Sequence, residues 1–449
     1  MKAKLYKCLI LLIPIFSLFS QPSIKRDPNV VRIINEISAD SIKRNIEKLV
    51  SFYTRHSLSD TLSPTRGIGA ARRWLKSELE RYSRQSGGRM KVEYDEFIAP
   101  TGPRVPKPTK MVNVIATLPG KIYKDKIYIV SAHYDSRAGD ALDSTSFAPG
   151  ANDDGSGTAG VLELARVMSK YEFDFTIMFV LFAGEEQGLL GSRHFAKKLK
   201  DSNIVVLGVL NNDIIGNTEG GNGIIDNTQV RVFSEGLPLS RDENLLRLIS
   251  NIGLENDSPS RQLARYLKDV AERYFDNFKV NLIFRRDRFL RGGDHTPFNE
   301  QGFPAVRISE MNENYSRQHQ NVRTEKGIKY GDLPEFVDFE YCANVVRLNA
   351  VALYHLANAP MPPQNPVIKV SELEYDTTLR WDLSNENDLA GYNILIRETT
   401  SPFWQKKIFV GRVNEFTLKN VSKDNFIFGI QSVDIDGNES LVVVPMPSR

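Results

Sequence analysis

Three short apolar runs, each ending in side chains that can hold a metal, constrain this chain more than anything else in it. Residues 127–132, 176–183 and 205–210 are nearly continuous in apolar character. Runs without polar alternation suit strands covered on both faces, as in a helix-flanked, mainly parallel sheet. The first runs into Ser131-Ala-His133-Tyr-Asp135-Ser136, the second into Gly184-Glu185-Glu186, the third into Asn211-Asn-Asp213. In open α/β sheets, ligands bind beyond the carboxyl ends of the strands. One histidine and several carboxylates are therefore expected to converge on one crevice.

The surrounding sequence supports an α/β class. Helical spacing over 158–169, with Val161, Leu164, Ala165 and Met168 on one side, separates the first two runs. A fourth apolar run, 305–308, follows a stretch with loop sequence at 216–227 and helical sequence at 243–252 and 262–274. Upstream, 31–37, 42–53 and 70–84 are spaced as helices, and 90–97 and 111–118 as strands. Segment 341–357 is helical and carries Cys342, expected to be a buried thiol. The predicted fold is a mixed, mainly parallel central sheet flanked by helices over 21–359. Pro360-Met-Pro-Pro-Gln-Asn-Pro366 then reads as a stiff linker. Beyond it, strand-like segments at 367–370, 377–381, 391–397, 407–410, 415–418, 425–433 and 441–444 predict an all-β sandwich over 367–449. The linker separates this sandwich from every candidate ligand, so it is expected to be dispensable for chemistry.

The first 20 residues read as a targeting segment. Lys2, Lys4 and Lys7 precede an apolar stretch, 9–20, too short to span a bilayer comfortably. Export by a cleaved signal to the periplasm or the extracellular space is the expectation, with a short membrane anchor as the competing reading. Cleavage would remove Cys8 and leave Cys342 without a disulfide partner. No later run is long enough to span a membrane. A net charge of +3 with both signs mixed gives no reason to expect a nucleic-acid partner.

Between the first two runs lies Pro149-Gly-Ala-Asn152-Asp153-Asp154-Gly155-Ser-Gly157, whose aspartates are expected to face the same crevice. Carboxylates do not gather there uncompensated, because desolvation and mutual repulsion oppose it. Divalent metals resolve the conflict. One histidine with four carboxylates suits two ions such as zinc, with one carboxylate shared. A second histidine is then wanted, and His319 is available.

These residues carry a family resemblance. The pieces His133-Tyr-Asp135-Ser, Gly150-Ala-Asn152-Asp153-Asp-Gly-Ser-Gly157, Gly184-Glu185-Glu186-Gln-Gly-Leu-Leu-Gly-Ser192, Asn212-Asp213-Ile-Ile-Gly216, Asp294-His295 and His319 occur in order over about 110–325. In that pattern the chain resembles the co-catalytic zinc exopeptidases, which include bacterial leucyl aminopeptidases, glutamate carboxypeptidase and the transferrin receptor. The resemblance implies two zinc ions: His133 and Asp213 on one, Glu186 and His319 on the other, Asp153 between them. It implies Glu185 as general base and Asp135 as the residue that orients the His133 ring. The family often has a tyrosine directly before the last histidine, where it stabilises the oxyanion. Here that place is Gln318, and Tyr315 and Gln318 are the candidates to replace it. Asp294 and His295 are expected beside the site as support rather than as ligands.

The implied reaction is attack of a metal-activated water on the peptide bond next to a free N-terminus. Alternatives are a glutaminyl cyclase-like enzyme with one zinc, a carboxypeptidase or dipeptidase, and a non-catalytic binding protein. Other motifs receive bland readings. His56, His194 and His355 are expected to be hydrogen-bonded structural residues. Gly155-Ser-Gly-Thr-Ala-Gly160 matches a dinucleotide fingerprint, but no strand runs into it and Asp153 and Asp154 would repel a pyrophosphate. Asp434-Ile-Asp-Gly-Asn-Glu439 reads as a turn, and the basic segment 285–291 as a solvated loop, with contact of one arginine to substrate as the competing reading. Leu379-Arg-Trp381, Leu389-Ala-Gly-Tyr392 and 433–440 resemble fibronectin type III domains, which usually bind surfaces or space domains.

Overall fold

The computed structural model describes residues 26–238 and 242–448. The targeting segment 1–20 lies outside the described residues. Three helices open the described residues: α1 (Pro28–Glu36), α2 (Ala39–Val50) and α3 (Gly67–Gln85). The first two begin where the sequence provides caps. The Asp27 carboxylate accepts the Asn29 N–H ahead of Pro28, and the Ser38 hydroxyl accepts the Ser41 N–H.

An eight-stranded sheet follows, built from β1 (Lys91–Ala99), β2 (Thr109–Leu118), β3 (Tyr123–His133), β4 (Phe175–Phe182), β5 (Val205–Asn212), β6 (Gln229–Ser234), β7 (Lys279–Ile283) and β8 (Ala305–Glu310). Its order is β1-β2-β4-β3-β5-β8-β6-β7. The pairs β4/β3, β3/β5, β5/β8 and β6/β7 are parallel, the others antiparallel. The three runs that opened the argument are thus neighbours at the centre, with their carboxyl ends side by side.

Helices cover both faces: α4 (Gly155–Met168), α5 (Leu190–Asp201), α6 (Glu243–Asn251), α7 (Pro259–Tyr274), α8 (His295–Glu300) and α9 (Phe339–Asn358). Tyr128, Val130 and Ala132 of β3 join an apolar cluster with α4 and α9. The alternate residues Ile127 and Ile129 join Phe195 of α5 and Phe298 of α8. This double coverage is why the strand sequences lack polar alternation. Cys342 is buried in α9. The glycine pattern 155–160 lies inside α4 and is helix, not a phosphate loop. Strands β6 and β7 and helix α5 were not expected from the sequence. The two strands are short, six and five residues, and Leu189 before α5 offers no side-chain cap. Among the described residues, no helix is long and apolar enough to cross a membrane.

A small hairpin, β9 (Arg323–Glu325) with β10 (Ile328–Tyr330), precedes α9. After α9 come β11 (Gln364–Lys369), β12 (Thr377–Asp382), β13 (Leu389–Glu398), β14 (Lys406–Gly411), β15 (Glu415–Leu418), β16 (Phe426–Asp434) and β17 (Met446–Ser448). They form sheets ordered β15-β12-β11-β17 and β14-β13-β16. Leu379 and Trp381 of the first sheet share one apolar cluster with Tyr392, Ile394 and Ile430 of the second. Two expectations change here. The last three linker residues already belong to β11, where Gln364 pairs with Asp382. The expected strand at 441–444 is irregular, with one bridge between Val443 and Ile430, and the final strand lies at Met446–Ser448.

The sandwich also makes direct buried contacts with the peptidase unit. Asp257, just before α7, binds Arg265 at 3.3 Å and pairs with Arg397 of β13, all three buried. Glu439 pairs with Arg273 of α7 and, at 2.6 Å, with Lys407. Tyr266 donates to the Glu439 carbonyl at 3.0 Å, Trp404 to Gln262 at 3.2 Å, and Tyr123 to Glu386 at 2.6 Å. His355 lies in this junction between Tyr274 and Asn438.

Candidate metal centre

The site begins where β3 ends. The Asp154 carboxylate accepts three backbone N–H groups: His133 at 3.1 Å, Gly157 at 3.0 Å and Ile214 at 3.2 Å. One buried side chain therefore fixes the end of β3, the start of α4 and the turn after β5. Asp154 was expected to face the crevice. Instead it caps α4 from inside, and only Asp153 of the pair reaches the cleft.

Asp153 stands between the two histidines. Its Oδ1 is 3.3 Å from His133 Nε2 and its Oδ2 is 3.0 Å from His319 Nε2. His319 Nε2 is also 3.0 Å from Glu186 Oε1. Two ligand-sized groups result, His133–Glu185–Asp213 and Asp153–Glu186–His319, each with its donor atoms within 4.8 Å of one another. Asp135 ties the elements together. Its carbonyl lies 3.2 Å and its carboxylate 3.5 Å from His133 Nδ1, and the carboxylate accepts the N–H groups of Glu185 and Glu186 at 3.3 and 3.2 Å. The loop after β4 is thereby held against the end of β3.

The electrostatics of this cluster are one-sided. Burial works against a charged His133, yet Glu185, Asp135 and Asp153 outweigh it and hold the ring well above its ordinary range. Burial likewise opposes charge on His319, but Glu186 and Asp153 raise it to about 10. Burial pushes Glu185 well above the usual carboxylate range, with Glu186 and Asp213 adding to it against His133. A cluster that keeps buried imidazoles protonated and a carboxyl neutral has a field that asks for cations. His133 Nε2 is buried with no hydrogen-bond partner, as a ligand nitrogen would be before its ion. Nitrogen and carboxylate oxygen donors in this ratio suit zinc.

Other expected residues are placed as follows. Gln318 is 5 % exposed, lines the cleft, and neither atom of its amide has a partner. Tyr315 is 67 % exposed at the rim. Asp294 is buried behind the site, and burial together with Asp135 and Asp213 pushes it up to about 7. His295 is turned to the Arg286 carbonyl at 2.9 Å and to Asp287. His56 bonds to the Ala141 carbonyl and Gln187, and His194 stacks on Phe97.

Three residues escaped the sequence reading. Asp332 accepts the N–H groups of Asn152 and Asp153 at 2.9 and 2.7 Å. Fully buried Arg55 donates to the carbonyls of Tyr134, Pro149 and Gly150. Arg307 is fully buried in β8, with Nη2 at 2.9 Å from Asp213 and Nη1 at 3.3 Å from Asp287. A signal existed for Arg307, because an arginine inside the apolar run 305–308 needs a buried partner. Asp332 and Arg55 sit in loops whose sequence carries no such mark. The segment 285–291 also needs correction. Asp287 is buried, and Arg288 and Arg291 rest on Glu313 and line the cleft.

An open α/β sheet with histidines and carboxylates gathered at its central carboxyl ends is the arrangement of a metallohydrolase. The chain belongs to peptidase family M28, whose model matches residues 113–338. It is 46% identical to a probable zinc metalloprotease of Leptosphaeria maculans, over 94% of this chain and 97% of that one. It is 44% identical to another from Pyrenophora teres f. teres, over 94% and 88%. The LapA aminopeptidase of Legionella pneumophila shares the fold, with a TM-score of 0.53 at 24% identity over 76% of this chain and 77% of that one. An aminopeptidase from Aneurinibacillus sp. strain AM-1 does so with a TM-score of 0.52 at 16% identity, over 73% and 96%. The protein is a zinc metallopeptidase.

Proposed function

We propose that this metallopeptidase is an exported aminopeptidase with two zinc ions and that Glu185 is its general base. The observation that carries the reading is the pair of three-residue ligand groups with Asp153 spanning both histidines. His133 and Asp213 would hold one ion, Glu186 and His319 the other, and Asp153 would be shared. Bound there, the ions would polarise the scissile carbonyl and bring a water's pKa toward neutrality.

The chain's own residues supply the rest. Glu185 accepts the proton of the attacking water and passes it to the leaving amine. Asp135 holds the His133 ring and the Glu185–Glu186 backbone in one frame. Gln318 Nε2, buried and unpaired at the cleft wall, is the donor for the developing oxyanion, in preference to exposed Tyr315. Glu185 also lies within ligand distance of His133 and Asp213. The base assignment rests on Asp153 already standing between the histidines.

Metal analysis of active protein, read beside hydrolysis of aminoacyl nitroanilides, tests this. Two zinc ions per chain and aminopeptidase turnover are expected. A single ion in fully active protein overturns the two-ion reading and favours a cyclase-like enzyme. Cleavage of C-terminal dipeptides without aminoacyl hydrolysis makes the protein a carboxypeptidase instead. Export follows from the basic-then-apolar pattern of residues 1–20. Recovery of the protein with that segment intact inside the producing cell overturns it.

A further inference from the structure

Four arginines, Arg104, Arg137, Arg288 and Arg291, line a cleft of about 470 Å³ together with Glu185, Glu186 and His319. They are not equivalent. Nη1 of Arg288 and Nη1 of Arg291 lie 3.0 and 3.1 Å from Glu313, and Arg288 also meets Asp287 at 3.0 Å. Those two charges are matched by the protein. Arg137 has a side chain only 13 % exposed, and its Nε is buried without a hydrogen-bond partner. Its carboxylate neighbour is Glu186 at 3.6 Å. Arg104 donates Nη1 to the Glu186 carbonyl at 2.9 Å and has no ion pair among the described residues. Glu186 in turn lies on His319. Two guanidinium groups therefore meet at one residue of the cleft wall, with no carboxylate to themselves. Guanidinium groups in that state are well suited to take a carboxylate from outside.

We propose that Arg104 and Arg137 form a carboxylate-binding subsite, and that the cleft takes short peptides with a carboxylate on the leaving-group side of the cleaved bond. The proposal rests on the aminopeptidase reading. A protonated N-terminus is repelled by two guanidinium groups, so that wall receives the other end of the substrate. The cleft volume falls in the lower half of the usual range for small-ligand sites, which suits a short substrate. The carboxylate has two possible sources: the C-terminus of a dipeptide, or an acidic side chain just after the cleaved bond.

The experiment compares kcat/KM of the zinc-loaded full chain on leucyl-glycine, leucyl-glycinamide, leucyl-aspartamide and leucine p-nitroanilide. Leucyl-glycine should exceed its amide on the order of 10- to 100-fold, the range of a hydrogen bond to a charged group. A leucyl-aspartamide rate near that of leucyl-glycine identifies an acidic side chain as sufficient. A rate near that of the glycinamide identifies the C-terminal carboxylate. In Arg104→Gln and Arg137→Gln the acid-to-amide ratio should fall toward one, and Arg137→Lys should restore part of it. Arg104 is exposed, so its variant remains informative if Arg137→Gln does not fold. A ratio near one in the unaltered protein, or one unchanged in Arg104→Gln, overturns the subsite. Failure to hydrolyse every leucyl substrate, the nitroanilide included, overturns the aminopeptidase reading instead.

Discussion

The metal centre and the junction between the peptidase unit and the C-terminal sandwich are both buried clusters of charge, yet they are balanced differently. At the junction, Asp257 faces Arg265 and Arg397, and Glu439 faces Arg273 and Lys407. Both of these carboxylates have cations supplied by the chain. At the metal centre, Asp153, Glu185, Glu186 and Asp213 converge on two imidazoles, with the guanidinium of Arg307 at Asp213 and that of Arg137 at Glu186. His133 Nε2 and the Gln318 amide are left without partners. The lesson is that burial of charge alone does not mark a functional site. An imbalance that the protein leaves uncorrected does.

Five substitutions and one truncation break or sharpen that contrast. The largest effect is expected at Glu185. Glu185→Gln should retain both metals by elemental analysis and lose on the order of 10²–10⁴ in kcat, with KM changed far less. Glu186→Gln should instead weaken zinc retention, with partial rescue by excess zinc. The opposite outcome for the two variants would reverse their roles. Second, Asp257→Ala leaves two buried arginines unpaired and should cost about 3–5 kcal/mol of stability in denaturant unfolding. Zinc content and kcat of the folded fraction should be unchanged. The same contacts add a stability cost to the expectation that the sandwich is dispensable for chemistry. A chain ended near Asn358 exposes Arg265, Arg273 and Trp404's partner Gln262, and should unfold at lower denaturant even if its folded fraction turns over small substrates normally.

Third, Gln318→Leu should lower kcat by about 10²-fold, the low end for loss of an oxyanion donor, with both metals kept. Unaltered kcat would return the role to Tyr315. The smallest effect concerns Glu235, which burial raises to about 7 against the pull of Arg286 and Arg261. Its folded-state pKa lies above the unfolded value, so the folded state loses stability as pH rises from about 4.5 through 7. Glu235→Gln should therefore raise Tm by about 1–2 °C at pH 8 and leave it unchanged near pH 4. An equal gain at both values would make the effect one of packing.

Much of the centre was legible because strand burial and chemistry coincide in the same words of sequence. A run such as 176–183 announces a doubly covered strand, and the glutamates that follow must then lie at its carboxyl end. The expected strands at 127–132 and 205–210 fall within β3 and β5, and the one at 176–183 runs one residue past β4, with the three in adjacent positions. What escaped was held by tertiary context. Asp332 and Arg55 act by capping backbone groups of distant loops, which leaves no periodicity to read. Asp154 looked like its neighbour Asp153, and only the geometry of the α4 start turns one inward and the other out. The segment 285–291 reads as solvated by composition, but Glu313, more than twenty residues away, draws Arg288 and Arg291 into the cleft wall. In the sandwich, Trp381 and Tyr392 do pack 5.2 Å apart in the core, whereas the last strand slid because Leu441–Val444 offered apolar residues without a continuous ladder partner.

Asp135 has a consequence for how such an enzyme can change over generations. One carboxylate touches the ring of a histidine on one side of the centre and both amides of the Glu185–Glu186 pair on the other. A lineage losing that carboxylate would disturb both sides of the cluster in a single codon change. Divergence in specificity is then steered to positions such as Arg104, Tyr315 and the rim of the 285–291 loop, where each change can be tried and reversed alone.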